Sequence, residues 1–310
     1  MLKAHRSIIA FSALALASAA PAQPASPWNG VDQALGRPGA TQPDGVRRYS
    51  FPRSDLKVEL DGVAIKPALA LGSWVAFEPG GRGTMVMGDL VLTPEEVKPV
   101  MAELLKGGIR VTALHNHLLR STPATVYMHV EGEGDSTRLA ATLRSALSVS
   151  HTPLQPPGPP GAAQLDLDTA GIDRAISRAG KANGGVYQFS IPRREQIAEN
   201  GMAVPASMGT GTAINFQPVG SGRAAVTGDF VLLATEVDPV MRALTSGGIE
   251  ITALHTHMIG EQPKLYFMHF WSVGDARQLA VTFKSALDKM NVRKKLTLAL
   301  SRMSRPASGA

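Results

Sequence analysis

The chain has 310 residues, a length that suggests about two domains. Its hydrophobic content of 44% supports a buried core, and 5% aromatic residues leaves the packing mainly to aliphatic side chains. Cysteine is absent, which excludes disulfides, a thiol nucleophile and a lipid-modified N-terminal cysteine. The formal net charge is +6, falling to +4 once Lys3 and Arg6, the charged side chains of residues 1–22, are taken away.

Residues 1–22 read as a signal peptide. Lys3 and Arg6 form a positive start, Ile8 to Ala20 a short apolar run, and Ala20-Pro21-Ala22 a small-x-small cleavage site. The run is too short to span a bilayer, and no later segment spans one either. The expected location is therefore periplasmic or secreted.

Self-similarity governs the rest. Val31-Asp32-Gln33-Ala34-Leu35 recurs as Ile172-Asp173-Arg174-Ala175-Ile176, and Phe51-Pro52-Arg53 as Ile191-Pro192-Arg193. Gly88-Asp89 recurs as Gly228-Asp229, Pro99-Val100-Met101 as Pro239-Val240-Met241, and Gly107-Gly108-Ile109 as Gly247-Gly248-Ile249. Two copies at this long period mean a duplicated domain rather than a solenoid. Repeat one covers 28–149 and repeat two 165–290. Between them, 150–164 is rich in proline and glycine and reads as an extended linker. Residues 291–310 form a basic tail with no interleaved aromatics, which argues against a nucleic-acid arm.

Each copy opens with a short helix (Val31 to Leu35). Strands are predicted at 46–51, 56–65, 74–78 and 84–92, with 212–217 as the counterpart of the third. A helix follows. Thr93 and Glu96 make a capping-box pattern, and Val97, Val100, Met101 and Leu104 share one face. Pro99 and Pro239 lie inside this pattern, so either the helix starts there, with Asp238 as a cap in copy two, or it kinks. Strands at 109–118 and 125–131 follow as an antiparallel pair. Asp135 and Asp275 read as caps of a last helix whose buried stripe includes Leu139, Leu143, Leu279 and Phe283. The unit is β-β-α-β-β-α, an α+β fold with largely antiparallel sheets and helices on one face. The two repeats are expected to pack on each other.

Six of the eight histidines fall into two equivalent groups: His115, His117 and His129, and His255, His257 and His269. His115 and His117 are two apart in a predicted strand and so share a face. Pairing His117 with His129 sets His115 opposite Glu131, and all four then point the same way. Three imidazoles with an open position suit a divalent transition metal, zinc first and copper second. Glu131 offers a carboxylate ligand or base, and Trp271 stands in its place in copy two. Asp89 and Asp229 offer carboxylates that orient a histidine or ligate directly. Three readings stay open: an exported metal-binding protein, with or without metal-dependent catalysis on an envelope or small extracellular substrate; a metal-free histidine-lined cleft or inter-repeat interface for a small-molecule or envelope ligand; and metal-free acid–base catalysis by His and Asp. Met85, Met87, Met128 and Met268 invite copper but suit core packing better. Ser73 and Ser121 lack a nucleophile-elbow context, and Gly80-Gly81-Arg82-Gly83 and Gly184-Gly185 read as turns.

The runs Gly88 to Leu92, Glu96 to Met101, Gly107 to His117 and Tyr127 to His129, repeated at Gly228 to Leu232, Glu236 to Met241, Gly247 to His257 and Phe267 to His269, resemble the LppY/LpqO family of exported bacterial proteins. That family is built on a domain of unknown function that often occurs in tandem. The resemblance implies a tandem fold and export but no reaction. Some members are lipoproteins, and the lack of cysteine here means lipid anchoring is not implied.

Overall fold

The computed structural model describes residues 27–81, 83–156 and 165–293. The proposed signal peptide and most of the basic tail lie outside these residues. Repeat one contains α1 (Asn29–Leu35), β1 (Ala40–Thr41), β2 (Arg47–Pro52), β3 (Glu59–Leu60), β4 (Val63–Ala64), α2 (Pro67–Ala70), β5 (Gly72–Gly80), β6 (Gly83–Leu92), α3 (Pro94–Lys106), β7 (Arg110–His115), β8 (Val126–Gly134) and α4 (Ser136–Ser148). Repeat two contains α5 (Thr169–Ile176), β9 (Lys181–Asn183), β10 (Val186–Pro192), β11 (Ala198–Glu199), β12 (Met202–Ala203), a 3₁₀ turn (Ala206–Met208), β13 (Gly211–Gly220), β14 (Arg223–Leu232), α6 (Ala234–Ser246), β15 (Glu250–His255), β16 (Tyr266–Asp275) and α7 (Ala276–Leu287).

Each repeat folds into a six-stranded antiparallel sheet. The strand orders are β1-β2-β5-β6-β8-β7 and β15-β16-β14-β13-β10-β9. The fold class is thus the α+β arrangement expected. The segment predicted as one strand over 56–65 is instead the small hairpin β3–β4, which stands off the main sheet.

Alternation along the strands gives each sheet two apolar faces. Tyr49, Phe51, Val75, Phe77, Val86, Leu90, Met128 and Val130 turn outward onto α1, α3 and α4. The matching face of repeat two packs on α5, α6 and α7. The opposite faces meet each other: Met85, Met87 and Ala76 pack with Met208, Met258 and Phe267, and Val91, Leu118 and Tyr127 with Ala225 and Trp271. The result is four layers, helices–sheet–sheet–helices. Each fully buried apolar side chain in the central layer contributes about 1.5–3 kcal/mol relative to exposure, so the repeats form one body.

Helices α3 and α6 begin a turn ahead of Pro99 and Pro239 and continue through them. Asp238 therefore lies inside α6, where it pairs with Arg242 at 2.8 Å, and is not its cap. The first turn of each helix is held by a glutamate. Glu96 accepts from the Thr93 amide at 2.9 Å, and Glu236 from the Leu233 amide at 2.8 Å. The same carboxylates bind the recurring arginines, Arg53–Glu96 at 2.7 Å and Arg193–Glu236 at 2.6 Å, with both guanidiniums essentially buried. Asp135 and Asp275 cap α4 and α7 through the Arg138 and Gln278 amides. The start of the linker is tethered: Arg37 donates to the carbonyls of Leu154 and Gln155, and the His151 amide to Glu96.

Candidate metal centre between the repeats

The hairpin β7–β8 does not pair in the expected register. His115 lies opposite Tyr127 and Arg110 opposite Glu131, with a bulge at Thr112 that sets Ala113 against His129. Strand β7 ends at His115, so His117 sits just past it and does not pair with His129. Hydrogen bonding of β6 places Asp89 directly across from His129. Repeat two repeats the pattern, with Ala253 opposite His269 and Asp229 across from it on β14.

A glycine precedes each aspartate for a steric reason. A Cβ at Gly88 would come within 2.8 Å of the Trp74 carbonyl oxygen, and one at Gly228 within 2.0 Å of the Ala213 carbonyl oxygen. Only glycine lets the neighbouring strands close at those points.

The expectation of two separate three-histidine sites is overturned. β7 and β15 are edge strands of facing sheets, and all six imidazoles converge on the inter-repeat plane. They stack in cross-repeat pairs, His115 with His255, His117 with His269 and His129 with His257, each with ring centroids 3.6 Å apart. Tyr127 backs His117 and Phe267 backs His257, both at 3.5 Å. Ligand atoms of His115, His255, His257 and His269 all lie within 4.8 Å of one another.

Every one of the six has a buried Nε2 with no hydrogen-bond partner, and His115 lacks one at Nδ1 too. His269 Nδ1 sits 2.9 Å from the Gly228 carbonyl oxygen, which directs its Nε2 toward the cluster. Leaving a buried polar atom unpaired costs about 1–3 kcal/mol, so this is an expensive arrangement in isolation. Burial, aided by neighbouring imidazoles, holds His115, His117, His129 and His257 well below their ordinary value. Burial lowers His255 to about 4 and His269 to about 3, against the pull of the Thr256 and Gly228 carbonyls respectively. The rings are neutral, which is the ligating form.

Asp89 and Asp229 flank the cluster. Asp89 lies 3.9 Å from His129 Nε2, and Asp229 3.8 Å from both His257 Nε2 and His269 Nδ1. These distances are beyond hydrogen bonding, so neither carboxylate directly orients an imidazole. Burial pushes Asp89 up to about 7, with Arg48 opposing. Asp229 is raised well above the carboxylate range by burial and then by Asp89.

Glu131 shares the face of His129 but is bonded to Arg110 at 2.6 Å. Glu199, from β11 of the other repeat, approaches it, and burial followed by this neighbour raises the Glu131 carboxyl. Glu199 and Arg48 are site residues that sequence reasoning missed. Their signal lies in the mismatches between copies: Leu60 occupies the place of Glu199, and Gln188 that of Arg48. On that opposite side Trp271 Nε1 donates to Asp61 at 2.9 Å, and Arg120 pairs with Glu250 at 2.8 Å, closing the flank.

Fold and site together define a tandem protein with a histidine centre shared by its two halves. The chain belongs to the family described as Domain of Unknown Function (DUF1259), whose model matches residues 29–149 and 170–289. No curated protein matches it. Among solved structures, the trimeric bacterial microcompartment shell protein PduB is 12% identical, covering 81% of this chain and 89% of that one, with a TM-score of 0.21. EtuB from Clostridium kluyveri is 9% identical, covering 80% and 90%, with a TM-score of 0.19. Similarity at that level carries no argument about this protein.

Proposed function

We propose that this is an exported metal-binding protein with one divalent transition-metal centre, zinc by preference, built jointly by the two repeats. The observation that carries the reading is the set of six buried, neutral imidazoles whose unpartnered nitrogens face one another. His115, His255, His257 and His269 are close enough to serve as a four-nitrogen ligand set. His117 and His129 stack against two of these and limit how far the rings turn. With four protein nitrogens on it, the ion would be a closed centre that ties the two repeats together. Asp89 and Asp229 would supply the compensating negative charge by giving up the protons that burial holds on them. A metal-free histidine-lined cleft for a small-molecule or envelope ligand is the weaker reading, because the pocket beside the rings admits a water-sized occupant rather than a metabolite, and the roomier cleft at Asp61, Arg223, Glu250 and Trp271 has no histidine in its wall. The signal-like N-terminus and the resemblance to LppY/LpqO proteins support export. Among the described residues no helix is long and apolar enough to cross a membrane.

The test is elemental analysis of protein purified without a histidine tag. About one zinc per chain is expected, lost in His255→Ala and His269→Ala. Substoichiometric metal in every preparation, unchanged by His255→Ala or His269→Ala, would sink the reading. Mass spectrometry of the exported chain should find Gln23 at its N-terminus.

A further inference from the structure

One flank of the histidine cluster is chemically unlike the other. On the side of repeat one's β5 and β6 a small, partly open pocket is walled by Trp74, Met87, Met208, Met258, His129 and His257, with the Glu131 carboxylate at its edge. Met87, Met208, Met258 and His129 are each at least nine-tenths buried. Met208 arrives on the 3₁₀ turn of repeat two. Gly209 follows it at φ +96°, where a Cβ would touch the Trp74 ring at 3.1 Å. His129 is not one of the four close-set metal ligands, yet its buried Nε2 has no partner.

We propose that this pocket is a second, soft-metal site that takes monovalent copper through the His129 imidazole and the thioethers of Met87, Met208 and Met258, with the Trp74 ring as a further wall. It is distinct from the divalent centre and stands or falls separately from it. Thioethers are poor ligands for hard divalent ions and select Cu(I). A monovalent ion also suits a pocket with a largely apolar wall better than a dication, since the cost of desolvation rises with charge. The indole face adds cation–π attraction at short range. Its other interaction, with the Arg48 guanidinium 3.9 Å from the ring centroid, shows that this ring already accepts a cation.

The duplication supplies an internal comparison. On the other flank the positions equivalent to Trp74, Met87, Met208 and Met258 are Ala213, Thr227, Leu69 and Leu118. Leucine fills the same core space as methionine, so packing alone does not call for the sulfur. All three pocket thioethers and the indole fall on one side, around a histidine with a spare nitrogen.

The experiment uses zinc-loaded, tag-free protein under anaerobic, reducing conditions, titrated with Cu(I) held by a competing chromophoric chelator. Wild type should withdraw one Cu(I) per chain without releasing zinc. The volume-conserving double variant Met87→Leu/Met258→Leu should keep its fold and its zinc while its Cu(I) affinity falls at least about tenfold. X-ray absorption should show sulfur around copper in wild type and less of it in the variant. If the variant binds Cu(I) as wild type does, or if each Cu(I) displaces one zinc, the soft site is wrong. If preparations hold no zinc but methionine-dependent Cu(I) uptake persists, this site stands and the divalent centre falls.

Discussion

Acid should unfold the metal-free protein over a narrow range near pH 5. In the unfolded chain a histidine takes up a proton below about 6.5. In the fold, burial keeps all six central imidazoles neutral well below that, with His255 at about 4 and His269 at about 3. Unfolding at pH 5–6 therefore draws about five protons onto these rings, and acid favours the unfolded state. Asp89 and Asp229 work the other way. They are protonated in the fold, with Asp89 at about 7 and Asp229 raised well above its ordinary value, and they release protons on unfolding above about pH 4. Net uptake is about three to four protons, a slope of roughly 4–5 kcal/mol per pH unit. Since domains have only about 5–15 kcal/mol of stability, one pH unit consumes much of it. The assay is urea unfolding of chelator-treated protein at pH 7, 6 and 5, followed by circular dichroism. Saturating zinc, adding about 4 kcal/mol at a thousandfold excess over Kd, should move the acid midpoint down by about one unit. Equal urea midpoints at pH 7 and pH 5 without metal would refute the claim that these rings are buried and neutral.

Two further outcomes test the scaffold. Glu236→Ala removes one of the two carboxylates on the essentially buried Arg193 guanidinium, Glu195 staying at 3.0 Å, together with the acceptor for the Leu233 and Asn291 amides, and should cost at least about 1–3 kcal/mol in urea unfolding. Replacing both members by methionine should recover most of that loss, and failure to do so would mean the pair is not the cause. Gly228→Ala drives a Cβ to 2.0 Å from the Ala213 carbonyl oxygen, so β13 and β14 must part at the point that carries Asp229. We expect it to cost at least about 1–3 kcal/mol and to lower metal content, read by thermal denaturation and elemental analysis. Gly88→Ala, with a contact of 2.8 Å, should be milder.

The α+β class and the duplication were legible because they rest on local patterns. Alternation at 84–92, the stripe on 139–147 and the cap at Asp135 each fix an element without tertiary information. The partnership of Arg53 with Glu96 left a trace as two recurring residues, but their contact across 43 positions was not readable. The register of the histidine hairpin failed by four residues, Ala113 rather than His117 lying opposite His129, because β7 stops at His115 and a ten-residue connection follows, and nothing in a run of β-formers announces where the strand ends. The displacement, being even, kept His115 and His117 on the face of His129. The larger miss was the meeting of the two trios. Whether two sheets turn their histidine faces together depends on side chains such as Val91, Leu118 and Trp271, which carry no label saying which surface they will cover.

A metal on the two-fold axis of a homodimer sees the same residue from both subunits, so any change on one flank is forced on the other. Joining the halves in one chain lifts that symmetry. Glu131 can face Glu199 while its twin is Trp271 beside Asp61, and methionines can gather on one side while leucine fills the other. The six histidines keep the shared axis, and the residues around them are free to give the centre a front and a back. Neither half can then be replaced by a second copy of its partner without erasing that direction.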